Sequence, residues 1–384
     1  MKQNVAIIFG GNATEKEISI ITAVQMMEGY TKEEFNILPI FITTKGVWLC
    51  ARVGQSASYY ASLEKCPEKA KEVFLKVNDA SLYTKTWCGV KKICTLHAVV
   101  NACHGGLGES GELDGLLRMC HIPSTSASVA GMSVSMDKFL TKLVCKGLHI
   151  PVVEGIQIQK NEFKQSAKEF ADKIEKVVGF PCVVKPLRQG SSIGISKIQH
   201  KDELVEAVDV AFAYDTCVVV ESCVAYCKEF NIAIMGDGDK KESLIVSNMD
   251  EPVKDMSSIL SFADKYMRHQ KGKLKTAKMG MSGLTRKEPL ELSDVEKLEM
   301  KQSAASLFKA LHMQGVVRFD FLYNAKTKKW YLNEINAVPG SLAYYFFDEK
   351  GMSRTEMLEK MVKDAVLKAQ AESFSQTDYN VHVL

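Results

Sequence analysis

The chain has 384 residues, which is enough for two or three domains with hydrophobic cores of their own. Its formal net charge is only +3, with both signs interspersed, which argues against a nucleic-acid partner or a membrane-binding face. No apolar run approaches the roughly 18 residues of a membrane span, and the first residues do not read as a signal peptide. Eleven cysteines, an odd number scattered through apolar segments, indicate free thiols in a reducing compartment, so we expect a cytoplasmic protein.

The first third of the chain alternates strand and helix signals. Strands are predicted at 5–9, 35–42 and 98–102, and helices at about 15–28 and 112–120. This alternation favours a parallel α/β domain whose ligand-binding loops follow the strands. The polar stretch 50–92 is less periodic, so we interpret it as an insertion.

The remaining two thirds favour mixed α+β domains. Helices are predicted near 136–147, 167–178, 202–213, 293–311 and 354–371, and strands at 182–185, 217–221, 230–235, 316–322 and 330–335. A polar segment at 250–289 interrupts the last third and is a candidate lid or long active-site loop.

Three hard oxygen ligands follow two neighbouring apolar runs near the C-terminal end. Strict alternation along the second strand places Leu332, Glu334 and Asn336 on one face and Asn333 on the other. Asp320 alternates in the same way with apolar neighbours on the first strand. Two carboxylates and an amide oxygen suit magnesium, which takes few protein ligands and completes its shell with phosphate and water. The sequence therefore predicts an enzyme that uses a magnesium nucleotide.

Lys185 lies at a strand end and precedes a loop of glycine and serine at 190–194. Amides and hydroxyls of such a loop can hold phosphate oxygens, while the lysine adds a positive charge. The loop is neither a Walker motif nor a dinucleotide fingerprint, and alone it could equally be a tight turn with a surface lysine. Its coexistence with the predicted metal ligands favours the phosphate interpretation.

Two further glycine-rich loops follow strands, at 10–15 and at 104–111. Their glycines permit close approach of a ligand to the backbone, although either loop in isolation would be interpreted as a simple strand-to-helix turn. Glu221 ends a strand that crosses into the last third, where Glu229 follows. Such a crossing strand can present backbone groups to an adenine and a carboxylate to ribose hydroxyls, or it can simply link two domains.

Taken in chain order, these motifs resemble the D-alanine:D-alanine ligases of the ATP-grasp superfamily. The matching blocks lie at 9–11, 15–19, 104–111, 136–138, 184–194, 265–266, 318–320 and 333–340. They follow one another in the family's order over nearly the whole chain, and this order is the specific part of the resemblance.

The resemblance implies α/β and α+β architecture, with an N-terminal parallel α/β domain followed by a two-part ATP-grasp fold. The implied boundaries are 1–127 for the N-terminal domain, 128–221 for the small central domain and 222–384 for the C-terminal domain, with the lid at about 250–289. A homodimer is expected on the same ground.

The resemblance also assigns roles around the nucleotide and the metal. Phosphate contacts fall to Lys138, Lys185, Ser192 and Lys265, adenine contacts to Glu221 and the Val224 backbone, and the ribose contact to Glu229. Asp320, Glu334 and Asn336 are implied to hold two Mg²⁺ ions, with Mn²⁺ as an alternative. The implied substrates are ATP and amino acids.

Further roles fall around the amino-acid substrates. Glu15 is implied to anchor the first ammonium and to join Ser191 and Tyr266 in a hydrogen-bonded triad, and His104 is implied to bind a substrate. Arg318 and the Gly340 amide are implied to stabilise an oxyanion. The implied reaction phosphorylates a carboxylate, and a second amine attacks the acyl phosphate to give D-alanyl-D-alanine for peptidoglycan precursors.

The chain departs from the family pattern after Gly340. By position, Tyr345 replaces a serine that receives the second substrate's carboxylate, and Phe346 replaces the neighbouring specificity residue, whereas Tyr344 and Phe347 are predicted to pack in the core. A same-family ligase with another second substrate is therefore an alternative. A nucleotide-binding protein without ligase activity is the alternative from another class.

The predicted lid is also unusually basic after Tyr266. Residues 268–275 carry several lysines, which are predicted to be solvated. Contact with an acidic second substrate or with phosphate is the alternative for this segment.

Overall fold

A computed structural model of the chain describes residues 2–253 and 285–373. The strands of these residues form three main sheets, which lie in chain order, together with one small three-stranded and one two-stranded sheet. None of the helices in the described part of the chain combines the length and the apolar character needed to span a membrane. All eleven cysteines belong to the described residues, and each is a free thiol, as predicted.

The first sheet has five strands in the order β4-β3-β2-β1-β8. Its strands are β1 (Gln3–Gly10), β2 (Phe35–Ile42), β3 (Trp48–Cys50), β4 (Lys71–Glu72) and β8 (Ala98–Asn101). β1 pairs in parallel with both β2 and β8, which confirms the predicted parallel arrangement. Residues 5–9 are fully buried, as expected for a central parallel strand covered on both faces.

Four helices accompany this sheet: α1 (Lys16–Gly29), α2 (Ala57–Ser62), α3 (Gly106–Glu109) and α4 (Glu112–Met119). The predicted insertion has regular structure of its own, because β5 (Phe74–Lys76), β6 (Asp79–Thr86) and β7 (Gly89–Thr95) form an antiparallel sheet. Trp87 is almost completely exposed at the β6–β7 turn. The outer strand β7 has few apolar residues, so the sequence of this sheet shows little hydrophobic periodicity.

The second sheet is antiparallel, in the order β11-β10-β12-β9. It contains β9 (Gly155–Gln159), β10 (Cys182–Pro186), β11 (Ser196–Ile198) and β12 (Cys217–Ser222), with helices α5 (Val129–Met136), α6 (Lys138–Gly147), α7 (Lys160–Val177) and α8 (Leu204–Phe212). Asp137 separates α5 from α6, because its side chain accepts hydrogen bonds from the first amides of α6 as an N-cap. This cap places Lys138 at the first position of α6.

The third main sheet is also antiparallel, in the order β14-β13-β17-β18. Its strands are β13 (Cys227–Asp237), β14 (Ile245–Val246), β17 (Gln314–Asn324) and β18 (Lys329–Asn336), and β15 (Glu251–Pro252) pairs with β16 (Arg286–Lys287) beside it. The helices are α9 (Asp294–Ala310), α10 (Tyr345–Asp348) and α11 (Arg354–Ser373). A capping box between Ser293 and Glu296 begins α9.

A β-bulge between β17 and β18 changes the predicted alternation. Asp320 pairs with Glu334, but Phe321 pairs with Leu332, so Asn333 is the extra residue. Leu332 is consequently buried in the core, and Asn333 turns towards the same side as Glu334. The prediction that Leu332 shares a face with Glu334 was wrong, because the bulge breaks the two-residue period there.

Candidate active site

A cavity of about 430 Å³ lies between the second and third main sheets. Strands β10 and β12 line one side, and β13, β17 and β18 line the other. Six residues predicted to contact ATP line this cavity: Lys138, Lys185, Ser192, Glu221, Val224 and Glu229. The structure therefore brings together every predicted ATP contact that falls within its described residues.

Glu221 is the centre of a buried charge cluster at one end of the cavity. Its two carboxylate oxygens pair with Lys185 at 2.7 Å and with Lys142 at 3.1 Å. Burial alone would raise the pKa of Glu221, but the two lysines outweigh burial and hold the pKa at about 2. Glu221 is thus ionised at neutral pH, and Lys142 is a cluster member that no motif had indicated.

Lys185 also reaches Asn333, whose amide oxygen lies 3.3 Å from the ammonium. Burial would lower the pKa of Lys185, yet Glu221 outweighs it and raises the pKa. Lys138 donates to the Gln189 carbonyl at 2.5 Å, and burial lowers its pKa. Two lysines from different elements thus border the cavity, and the bulge at Asn333 helps to orient one of them.

The loop that follows β10 is built around left-handed backbone conformations. Ser191 and Ser192 have φ angles of 49° and 60°, which L-residues adopt at some cost. A Cβ atom at Gly190 would lie 2.5 Å from a carboxylate oxygen of Glu15, so only glycine fits there without a shift. The loop therefore joins the cavity to a carboxylate at the start of helix α1.

A second, smaller cavity of about 60 Å³ adjoins the first. It is lined by seven residues with predicted substrate, catalytic or metal roles: Glu15, His104, Ser191, Arg318, Glu334, Asn336 and Gly340. Both cavities share Lys138, Gln189, Gly190 and Glu334 in their linings. A group transferred between ligands of the two cavities would pass these four residues.

Glu15 and Ser191 form the hydrogen bond expected from the predicted triad, with the serine hydroxyl donating to the carboxylate. Glu15 is buried and occupies the position just before helix α1. The third predicted member, Tyr266, and the predicted phosphate ligand Lys265 lie outside the described residues, as does the basic segment 268–275.

Helix α1 also holds the adjoining loops in place. Ser19 accepts a hydrogen bond from the Gly10 amide and donates to the Ala102 carbonyl, both at 2.7 Å. Thr22 contacts a ring nitrogen of His104 at 2.9 Å and accepts from the Ser341 amide at 2.9 Å. One helix thus fixes three loops around the smaller cavity.

Glu109 is a second buried carboxylate of the smaller cavity, to which the sequence assigned no role. It accepts hydrogen bonds from the amides of Gly105 at 2.8 Å and Val338 at 3.3 Å. Burial, followed by the charge of Glu15, raises the pKa of Glu109 to about 8. Burial, followed by the charge of Arg318, lowers the pKa of His104 to about 3, so His104 is neutral at pH 7.

Arg318 and Asp320 face each other as a buried bidentate pair, with N···O distances of 2.7 and 2.8 Å. The amides of Asn231 and Asn336 also donate to the Asp320 carboxylate. Burial raises the pKa of Asp320, and Arg318 offsets this only in part, while nearby Glu334 adds to the rise. The residues predicted for the oxyanion and for the metal are therefore in direct contact.

The donor set fits a hard divalent cation. Asp320 pairs with Glu334, and Asn336 pairs with Arg318 two residues along the same strands, so all four side chains share one face. A bound cation would relieve the mutual repulsion of the two carboxylates. Within the described ranges there is no group of three or more His, Cys, Asp or Glu side chains suited to a metal, so Asn336 and ligand oxygens would complete the shell.

The loop after Gly340 is strained. Ser341, Leu342 and Ala343 have φ angles of 58°, 45° and 51°, three left-handed residues in succession. Phe346 is only 2% exposed and packs in the hydrophobic core with Phe347, while Tyr344 and Tyr345 are half-buried. The core position predicted for Phe347 is confirmed, and Tyr344, also predicted in the core, is only half-buried. The predicted substrate contact of Phe346 stays a prediction.

Two sheets that enclose a nucleotide-sized cavity, bordered by lysines and by paired carboxylates, define the ATP-grasp class of fold. Solved structures agree. The D-alanine-D-alanine ligase from Coxiella burnetii matches with a TM-score of 0.75 and 23% identity, over 97% of this chain and 96% of that one. The VanG D-Ala:D-Ser ligase from Enterococcus faecalis matches with a TM-score of 0.74 and 24% identity, over 95% of this chain and 100% of that one. At these levels of sequence identity, the structural similarity establishes the fold alone.

The sequence comparisons go further. Residues 4–127 match the family description "D-ala D-ala ligase N-terminus", and residues 144–363 match "D-ala D-ala ligase C-terminus". The D-alanine–D-alanine ligase of Thermosipho africanus is 33% identical over 363 residues, which cover 94% of this chain and 93% of the relative. The chain belongs to the D-alanine–D-alanine ligase family.

Proposed function

We propose that this chain is an ATP-dependent ligase that joins D-alanine to D-alanine through an acyl phosphate, in the cytoplasm, for peptidoglycan precursors. The observation that carries the proposal is the meeting of the two cavities at Lys138, Gln189, Gly190 and Glu334. One cavity has the size and the cationic border for a nucleotide, and the other has a buried carboxylate for an ammonium group. The domain boundaries at 127 and 221 and the homodimer remain predictions.

The first step brings a carboxylate against a triphosphate, and these anions repel each other. Lys138 and Lys185 reduce this repulsion and fix the phosphate oxygens for in-line attack. Their ammonium groups are held by the Gln189 carbonyl and by Glu221, so little reorganisation is needed when phosphate arrives. When bound, Mg²⁺ held by Asp320, Glu334 and Asn336 would supply further neutralisation of phosphate charge.

Glu15 positions the first amino acid by pairing with its ammonium, since this carboxylate faces the smaller cavity and already accepts the Ser191 hydroxyl. Arg318 supplies a fixed positive charge at the same cavity, and Asp320 holds its orientation. As the second amine attacks the acyl phosphate, Arg318 and the Gly340 amide stabilise the oxyanion that develops.

A ligase of the same family with a different second substrate is a second candidate. The observation that favours it is Tyr345, a half-buried phenol after the strained loop, at the position where the family pattern has serine. A phenol fills much more volume than a serine hydroxyl, so the second subsite differs in shape even if it still receives a carboxylate.

The test is turnover by the purified chain with ATP, Mg²⁺ and a panel of D- and L-amino acids, supplied singly and in pairs. Phosphate release and product mass are followed together. We expect D-alanyl-D-alanine from D-alanine alone. Turnover only with a mixed pair would favour the second candidate, and nucleotide binding without phosphate release in any mixture would contradict both.

A further inference from the structure

Tyr345 has a buried hydroxyl that finds no hydrogen-bond partner among residues 2–253 and 285–373. Leaving such a group unsatisfied is energetically costly, so an orphan hydroxyl in a folded protein calls for an explanation. Tyr345 is the first residue of α10, which directly follows the strained loop that begins at Gly340, a residue of the smaller cavity. An acceptor supplied by a ligand would satisfy it.

The Tyr345 ring is held in place on several sides. The guanidinium carbon of Arg286 lies 3.7 Å from the ring centroid, and the Phe346 ring lies 4.9 Å away. A guanidinium stacked this closely on an aromatic face is a cation–π contact, which is strengthened by the exclusion of water. No sequence motif pointed to Arg286, which lies on β16.

Arg286 is in turn fixed by a buried carboxylate. Its Nε lies 2.8 Å from an Asp250 oxygen, and the Arg286 side chain is only 12% exposed. The backbone of Asp250 forms a β-bridge with Asn231, whose side chain donates to Asp320. A continuous set of contacts therefore connects Tyr345 to the carboxylate that orients Arg318.

Burial would lower the pKa of Arg318, but the adjacent Asp320 outweighs burial and raises that pKa, and Tyr345 is near enough to contribute. The start of α10 thus places a hydrogen-bond donor near two arginines: Arg318 of the smaller cavity and Arg286, which stacks on the donor's ring. The α-carboxylate of an incoming amino acid is negatively charged and can accept a hydrogen bond from this donor.

We infer that Arg286 is a positioning residue that holds the Tyr345 phenol so that it donates to the carboxylate of the second amino acid. The inference rests on the proposed function and assigns part of its second subsite. Arg286 acts through Tyr345, because its guanidinium stacks on the Tyr345 ring. The measurable consequence is that the enzyme prefers a second substrate that carries a free carboxylate.

The experiment compares D-alanine with D-alaninamide as the second substrate of the full chain, with ATP and Mg²⁺. Product masses give the ratio of the two products at equal nucleophile concentration. We expect wild type to prefer the carboxylate, and Tyr345→Phe and Arg286→Leu each to reduce this preference about tenfold with the KM for ATP unchanged. Arg286→Lys should restore part of the preference, because an ammonium can also lie over the ring.

Three further variants control for structural damage. Arg286→Leu leaves Asp250 buried without its partner, so Asp250→Asn combined with Arg286→Gln removes both charges together. We expect this pair to lose the preference as well, and Tyr345→Phe combined with Arg286→Leu to be no worse than either alone. Lys287→Gln, on the same strand but exposed, should leave the preference intact.

The two levels of the proposal fail differently. Absence of any dipeptide from the wild-type chain would overturn the proposed function and this inference with it. A wild type that ligates, together with Arg286 variants that keep the full preference for carboxylate over carboxamide, would overturn the inference alone.

Discussion

The larger cavity, between the second and third main sheets, is the proposed nucleotide cavity. This cavity and the loop after Gly340 are built in opposite ways. The cavity is bordered by regular antiparallel strands, and its charges are matched in pairs, such as Glu221 with Lys185. The loop has three successive left-handed residues and a buried hydroxyl without a partner among the described residues. Under the proposed function, paired charges hold the phosphate-binding lysines in place before a ligand binds, whereas the inferred second subsite keeps an unsatisfied donor for its ligand.

The largest effect should come from Lys185→Met, which tests whether the cavity works through its charges. We expect kcat/KM to fall about 1,000-fold, because removal of one preorganised electrostatic contact costs about 10²–10³ in rate and nucleotide binding is also weakened. Steady-state kinetics with ATP varied checks this. Lys201→Met is the matched control, since Lys201 is a surface lysine paired with Asp172 and Glu175. Equal turnover by both variants would show that the cavity does not bind phosphate through Lys185.

Glu221→Gln tests the same cavity through stability. Removing one partner from a buried ion pair leaves the lysines uncompensated, so we expect a loss of about 3 kcal/mol in unfolding free energy at pH 7. The pKa of Glu221 is lowered to about 2 in the folded chain. Its ionised form therefore stabilises the fold above the ordinary glutamate pKa of about 4.3, and this contribution is lost as pH falls from there towards 2.

Thermal or denaturant unfolding at several pH values measures this effect. The difference between wild type and Glu221→Gln should shrink as the solution is acidified below about pH 4. Glu206→Gln is the control, because Glu206 is exposed on α8. A difference that stays constant down to the lowest accessible pH would argue that Glu221 stabilises by packing and not by charge.

Gly190→Ala tests the junction between the cavity and Glu15 at the start of helix α1. A Cβ atom at this position would lie 2.5 Å from a Glu15 oxygen, so the carboxylate must shift. We expect the KM for the first amino acid to rise about tenfold, equivalent to about 1.4 kcal/mol, with a smaller change in the KM for ATP. Gly115→Ala on α4 has open space around its Cβ and should not alter either constant. A rise confined to the KM for ATP would place Glu15 outside the amino-acid subsite.

Much of the nucleotide cavity was predictable because its residues follow regular strands in a fixed order. Lys185 and Glu221 lie at strand ends, where alternation and apolar runs are readable from the sequence. Asn333 was predicted on the wrong face of β18, because a β-bulge cannot be recognised from the hydrophobic pattern of a sequence. Lys142, Glu109 and Arg286 could not be assigned, because their importance depends on partners distant in sequence.

The smallest effect should come from Ser341→Gly, which tests whether the second loop is strained. Ser341 combines a φ of 58° with a buried hydroxyl that has no partner within the described residues. Glycine removes both costs but adds entropy to the unfolded chain, so we expect a net gain of about 1 kcal/mol in unfolding free energy. Ser341→Ala is the matched control, because it removes the hydroxyl and keeps the Cβ. If alanine stabilises as much as glycine in thermal unfolding, the hydroxyl is the cause and the backbone is not strained. If only glycine stabilises, the backbone of the loop is strained, and this strain is a cost of holding Tyr345 in place. The nucleotide cavity holds its residues by paired charges and does not require such strain.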